Sequence, residues 1–310
     1  MIPCILVLAS FILPHNELHR SKKLKLGNES LDVERTGLKI GLKIKAVTFD
    51  LWETLIFERE GCSSLRNKLR CKHLAQSFTN LGIRVTIKQV ELAFKELTSY
   101  LVKVWETNND VSHIDQLRFI YKFISKGSST LEEEWVKELD SAFIFPMFEV
   151  PAYINPDVYS LLNILKKHNR KVGLISNTGI TPGVALREFL IKERVSDYFD
   201  DMIYSEEVGI RKPNPRIFHL AAEHLGIKPE EIVHVGDNLR TDVWGAKYAN
   251  LKTIYLSSVE GRDSIAESDP TSIIALSRKM DDITREQAKA DIEIKRLSEV
   301  IEAIRQIENS

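Results

Sequence analysis

The amino-acid sequence predicts an α/β protein, a parallel sheet flanked by helices, with a block of helices inserted after the first strand. Three observations carry that reading. Short apolar, β-branched runs end on polar residues at Asp50, Ser176 and Asp237. From residue 152 onward such runs alternate with segments of helical periodicity, the order that right-handed parallel crossovers produce. Residues 59–151 show helical periodicity alone. At 310 residues, the chain can bury one large core and a smaller accessory one.

Residues 1–42 read as an extension. Positions 1–13 are apolar apart from Ser10, too short a run to span a bilayer and without a basic leader. They are read as an added helix or strand, or an upstream start, ahead of an export signal or peripheral anchor. A basic, Gly-punctuated connector follows, with an added edge strand over 38–44. The first core strand then runs to Asp50.

In the inserted block, Leu65, Leu69, Leu74 and Phe78 space a first helix before Gly82. Thr86 is placed to cap a second, over 89–105, with Val90, Ala93, Leu97, Leu101 and Trp105 on one stripe. A third spans 112–125, and Ser129 or Thr130 caps a fourth over 131–143, whose first turn is acidic. The core resumes with a helix from Pro156 to His168, a strand over 172–176, a helix over 184–194, a strand over 202–205 and a helix over 215–225. Strands follow at 232–235 and 253–256. Residues 290–294 read as a final edge strand, and Leu297, Val300, Ile301, Ile304 and Ile307 mark a last helix. Between them, 257–289 reads as an insertion with a short helix over 273–280; a coiled-coil arm is the weaker alternative.

A formal net charge of -1 gives no global field for nucleic acid. Cys4, Cys62 and Cys71 have no metal-ligand or disulfide-framework spacing, which suits a reducing compartment. No apolar run is long enough for a transmembrane span, and a cytoplasmic location is expected.

The chemistry-bearing residues fall in four places. Asp50-Leu51-Trp52-Glu53-Thr54-Leu55 sets a carboxylate at the carboxyl edge of a strand, where open α/β sheets bind ligands. A lone Asp there serves equally as a turn or cap residue. Ser176-Asn177-Thr178 ends a second strand on a hydroxyl, Lys212 sits within Gly209-Ile210-Arg211-Lys212-Pro213-Asn214-Pro215, and Gly236-Asp237-Asn238 is followed by Asp242. In this order the four resemble the haloacid dehalogenase-like hydrolase superfamily, over most of residues 43–256 and the last twenty.

The resemblance implies a three-layer Rossmann-like core, 43–58 plus 152–310, and a helical cap, 59–151, that closes over the catalytic loops. It makes Asp50 a nucleophile that forms an aspartyl phosphate. It places Mg²⁺, which takes hard oxygen ligands, on Asp50, the backbone carbonyl of Trp52, Asp237 and Asp242. Ser176, with the amides of Asn177 and Thr178, would hold phosphoryl oxygens, and Lys212 would neutralise developing charge. Arg211 is read as a surface or cap-facing residue. His234 is read as core, and Trp105, Trp135 and Trp244 as packing residues.

One departure divides the readings. Phosphatases of this superfamily carry a second Asp two residues after the nucleophile, as proton donor and base. Here that residue is Trp52, and Glu53 either substitutes or points elsewhere. An aromatic at this position resembles the dehalogenase branch, in which departing halide needs no proton and Arg59, Arg66 or Arg70 would meet a carboxylate. That branch uses no Mg²⁺ and lacks the acid at 237. The expected activity is therefore Mg²⁺-dependent hydrolysis of a small organic phosphate, slowed by Trp52. A metal-independent 2-haloacid dehalogenase and an impaired scaffold for phosphorylated ligands or proteins are the alternatives. The expected partner is a small phosphorylated molecule, with no nucleic acid, and the chain a monomer or homodimer.

Overall fold

The computed structural model describes residues 43–127, 131–257 and 287–310. The described chain starts with β1 (Ala46–Phe49) and turns into β2 (Ile56–Phe57). It then enters the helical block: α1 (Cys62–Asn80), α2 (Ile87–Trp105), α3 (His113–Ile124), α4 (Glu133–Ile144) and the short α5 (Pro146–Glu149). It leaves through β3 (Tyr153–Ile154), which pairs antiparallel with β2 so that the two crossings form one ribbon.

The core continues with α6 (Val158–Lys167), β4 (Lys171–Ser176), α7 (Gly183–Lys192), β5 (Asp201–Tyr204), α8 (Ser205–Val208) and α9 (Pro215–Leu225). After β6 (Ile232–Gly236) come a π-helical segment, Leu239–Trp244, then α10 (Gly245–Tyr248) and β7 (Lys252–Leu256). β8 (Ile292–Ile294) and α11 (Val300–Asn309) close the chain.

The six-stranded sheet is parallel throughout, in the order β5-β4-β1-β6-β7-β8. The chain builds outward from β1 on one side, then returns to build on the other, which makes the carboxyl ends around β1 the switch point of the sheet. Alternate residues face opposite layers. Val47, Phe49, Val172, Leu174, Val233 and Val235 pack with α6, α7 and α11, whereas Ala46, Ile175, Ile203 and Ile232 pack with α9 and α10. These are the three layers of the expected architecture.

The helical block has its own core. Leu74, Phe78, Val90, Leu97, Leu101, Trp105, Leu117, Ile120 and Phe143 are buried together, and Ile180, from the loop after β4, packs into the same cluster. Thr86 caps α2 through a full capping box with Gln89, and Ser112 caps α3.

Several boundaries differ from the sequence reading for local reasons. Helix α6 begins at Val158, two residues after Pro156, because Asn155 Oδ1 first accepts a bond from the Asp157 amide. Helix α4 begins at Glu133, with Glu132 at its N-cap and no side-chain cap. Positions 129 and 130, most of the 38–44 strand and the 273–280 helix lie outside the described residues. No helix among the described residues is long and apolar enough to cross a membrane.

Candidate active site

Asp50 follows β1 directly, and its amide donates to Val235 O of β6 at 2.9 Å, which fixes the backbone at the sheet edge. Asp237 follows β6, the adjacent strand. Asp242 lies on the π-helical segment, one turn further on. The structure brings the three together: each offers a carboxylate oxygen, and these atoms lie within 4.8 Å of one another. Opposite oxygens of a Mg²⁺ octahedron stand ~4.2 Å apart, close to that bound, and the three carboxylates are the hard oxygen ligands the ion takes.

Lys212 reaches the same centre from the loop before α9. Its Nζ donates to Asp50 Oδ1 and to Asp242 Oδ1, both at 2.6 Å, and its side chain is 1% exposed. Asn177 clamps its backbone, with Nδ2 donating to Lys212 O at 2.9 Å and Oδ1 accepting from Lys212 N at 2.8 Å. The loops after β4 and β5 are thereby tied at the point from which Lys212 projects.

The two acids that share this ammonium differ in environment. Burial lifts the Asp50 carboxyl to about 6 against the pull of Lys212, and Asp242 adds to the rise. Burial acts the same way on Asp242, but Lys212 and His234 together outweigh it and hold that group down at about 2. His234 Nε2 stands 3.2 Å from Asp242 Oδ1, and its Nδ1 stands 2.9 Å from Thr48 Oγ1. Burial lowers the imidazole's proton affinity, so the neutral ring donates through Nε2 to Asp242 and accepts from the Thr48 hydroxyl. The Asn238 amide donates to Asp242 Oδ2 at 2.9 Å. Gly236 completes the fit, since a β-carbon there would collide with the Asp242 carboxylate.

The remaining expected residues sit around this centre in different ways. Ser176 is fully buried at the end of β4, and its Oγ has no hydrogen-bond partner among the described residues. The expectation for Thr178 is corrected, because its amide donates to Ser205 Oγ at 2.9 Å and is used inside the core. Trp52 lines the pocket, and Glu53, 5% exposed and at φ 60°, lines it too. Of the two places expected for Arg211, surface or cap-facing, the structure shows the cap-facing one. The residue is buried, its Nη1 lies 3.2 Å from Asp110 Oδ2 of the helical block, and its guanidinium stacks 4.3 Å from the Trp105 ring centre. Trp244 is exposed and stacks on Tyr248.

The pocket over the acids has a free volume of about 120 Å³. Besides the acids and Lys212, its wall includes Glu58, Ser63 and Arg66 from the entry into the helical block, and Ile180 and Thr181 from the loop after β4. The sequence reading missed the Asn177 clamp, the Thr48–His234–Asp242 chain and the Glu58–Arg66 pair. Thr48 and His234 are register partners across β1 and β6, a signal readable only once that pairing is known.

Comparison with known proteins fits this geometry. The family model for haloacid dehalogenase-like hydrolases matches residues 44–250. A glyceraldehyde 3-phosphate phosphatase of Methanopyrus kandleri is 31% identical over 253 residues, covering 79% of this chain and 99% of the relative. The pyrimidine 5'-nucleotidase YjjG of Escherichia coli is 37% identical over 123 residues, 39% of this chain and 52% of that protein. Among solved structures, a 2-haloacid dehalogenase from Pseudomonas syringae shares the fold with a TM-score of 0.59 at 22% identity, covering 85% of this chain and 99% of that one.

Proposed function

The chain belongs to the haloacid dehalogenase-like hydrolases, and we propose that it is a Mg²⁺-dependent hydrolase of a small, three-carbon-sized organic phosphate, acting through Asp50. The observation that carries the reading is the convergence of Asp50, Asp237 and Asp242. Three carboxylates and the Lys212 ammonium leave a net charge of -2, suited to a divalent cation. Asp50, Asp237, Asp242 and the Trp52 carbonyl would hold Mg²⁺, which supplies charge neutralisation to the phosphoryl oxygens.

The chain's own residues do the rest. The Asp50 carboxylate attacks phosphorus, the ester P–O bond breaks, and the departing oxygen takes a proton. Trp52 has none to give. Glu53, in the same pocket, supplies it and then accepts one from the water that cleaves the aspartyl phosphate, releasing inorganic phosphate and free Asp50. The Ser176 hydroxyl, buried at the end of β4 and without a partner among the described residues, would be the donor to a phosphoryl oxygen. Substrate size follows from the pocket, whose volume of about 120 Å³ is small for a nucleotide. The Methanopyrus relative, matched along nearly its whole length, is named for a triose phosphate.

The test pairs a calorimetric Mg²⁺ titration with phosphate release from glyceraldehyde 3-phosphate. Binding that disappears in Asp237→Asn, and release that disappears in Asp50→Asn, are the expected results. No binding at millimolar Mg²⁺ together with halide release from 2-haloacids would replace the proposal with the dehalogenase reading, which Trp52 favours.

A further inference from the structure

We infer that the Glu58–Arg66 pair makes this pocket selective for phosphate esters whose organic end is uncharged and carries hydroxyl or carbonyl oxygens. The inference rests on the phosphatase reading of the acidic centre and concerns the other wall of the same pocket. There, Arg66 Nη1 lies 2.5 Å from Glu58 Oε1, with side-chain exposures of 3% and 4%. Arg66 Nε donates to Val150 O at 3.0 Å, and the guanidinium lies 5.7 Å from the centre of the Trp52 ring. Its Nη2 is buried and has no hydrogen-bond partner among the described residues.

A buried guanidinium already matched by a carboxylate brings no net charge of its own to a ligand. Arg70, the neighbouring guanidinium, is bonded to Phe143 O, Asn67 Oδ1 and Thr181 Oγ1 and is not among the residues that line the pocket. A substrate carboxylate entering here would set two anions against one cation, and a substrate ammonium would set two cations against one anion. Either leaves a charge uncompensated beside two side chains that are themselves almost wholly buried. A neutral oxygen avoids both penalties. It can accept from the vacant Nη2 donors, and of the hydroxyls in the same wall Ser63 can donate or accept while Thr181, which already accepts from Arg70 Nη2 at 3.4 Å, can donate. Trp52 contributes here as well, its ring covering the guanidinium where a proton-donating Asp would otherwise stand.

Charge compensation also predicts that specificity moves in opposite directions when each partner is neutralised. The experiment measures kcat/KM for phosphate release from glycerol 3-phosphate, 2-phosphoglycolate and phosphoethanolamine, in the full-length protein and in Glu58→Gln and Arg66→Gln. The unaltered protein should prefer glycerol 3-phosphate over both charged esters by about tenfold or more. Glu58→Gln frees the guanidinium and should raise the 2-phosphoglycolate to glycerol 3-phosphate ratio about tenfold, chiefly through KM. Arg66→Gln frees the carboxylate and should raise the phosphoethanolamine ratio instead. A merely structural pair would lower all three substrates in parallel in both variants. That parallel loss, or an initial preference for 2-phosphoglycolate, overturns the inference while leaving the phosphatase reading intact. No release from any ester by the unaltered protein would overturn both. If Glu58→Gln does not fold, the ratio shift in Arg66→Gln decides alone.

Discussion

Lys212→Met isolates what the shared ammonium does for the fold. Methionine keeps the unbranched stem and removes the charge, so the packing of a side chain that is 1% exposed is largely retained. Asp50 and Asp242 then lose the donor that stood 2.6 Å from each. Leaving buried carboxylates without their cation costs about 3–5 kcal/mol, which is a penalty of desolvated charge and not the net worth of the ion pair. For a domain of this size the melting temperature should fall on the order of 10 °C. The decisive variant is the double one, Lys212→Met with Asp242→Asn. It removes one of the stranded charges, so it should be more stable than the sum of the single effects by about 2 kcal/mol. Urea denaturation in metal-free buffer measures all four corners of the cycle, and the midpoints should move with the slope unchanged. Additive single effects would refute the reasoning and assign the loss to a packing defect.

Further outcomes follow from other titratable and pocket groups. His113, at the start of α3, lies 3.1 Å from Asp140 of α4 and 3.5 Å from Glu206 of α8; burial opposes its protonation, but the two carboxylates outweigh it and raise the imidazole to about 9. The protonated ring is the stabilising form, so its contribution is complete below the unfolded value near 6.5 and is lost as pH rises through about 9. Unfolding free energy should therefore fall by at most about 3 kcal/mol from pH 6 to 10, and His113→Asn should flatten that slope; an unchanged slope would count against the assignment. At the proton-transfer position, Glu53→Gln should slow hydrolysis of an alkyl phosphate far more than that of p-nitrophenyl phosphate, whose leaving group needs no acid. Trp52→Asp should accelerate the alkyl ester about tenfold or more, and equal responses from both esters would remove Glu53 from the role.

The elements legible in the sequence are those whose signal is local. Apolar runs ending at Asp50, Ser176 and Asp237 became β1, β4 and β6, and the Thr86 cap began α2. What was missed depends on distance. The β2–β3 ribbon joins two-residue strands whose partners, Phe57 and Tyr153, lie on either side of the whole helical block, and two residues carry no periodicity. The Arg211–Asp110 contact spans 101 positions, so the sequence left a surface and a cap-facing place for that cation both open. The π-helical segment bearing Asp242 reads in sequence like any short polar turn. Thr178 was misjudged because its competing partner, Ser205, comes from the next strand-to-helix turn.

Asp242 and Asp50 share one ammonium yet hold their protons differently, and the reason lies in what else each touches. Asp242 accepts from the Asn238 amide and from His234, whose tautomer is set in turn by Thr48. The Gly236 backbone leaves room for the carboxylate to sit there. Asp50 has Lys212 at 2.6 Å, the Leu51 amide and a long bond from the Thr54 hydroxyl at 3.3 Å, but it also has the Asp242 anion beside it. Hydrogen bonds to a charged form depress its proton affinity, and burial without them raises it. The result is a division that the proposed chemistry can use. One carboxylate stays firmly anionic, as a cation ligand must. The other, raised by burial and by the Asp242 charge beside it, keeps the higher proton affinity that an attacking oxygen needs. Had the two environments been exchanged, the residue at the end of β1 would be the better ligand and the weaker nucleophile.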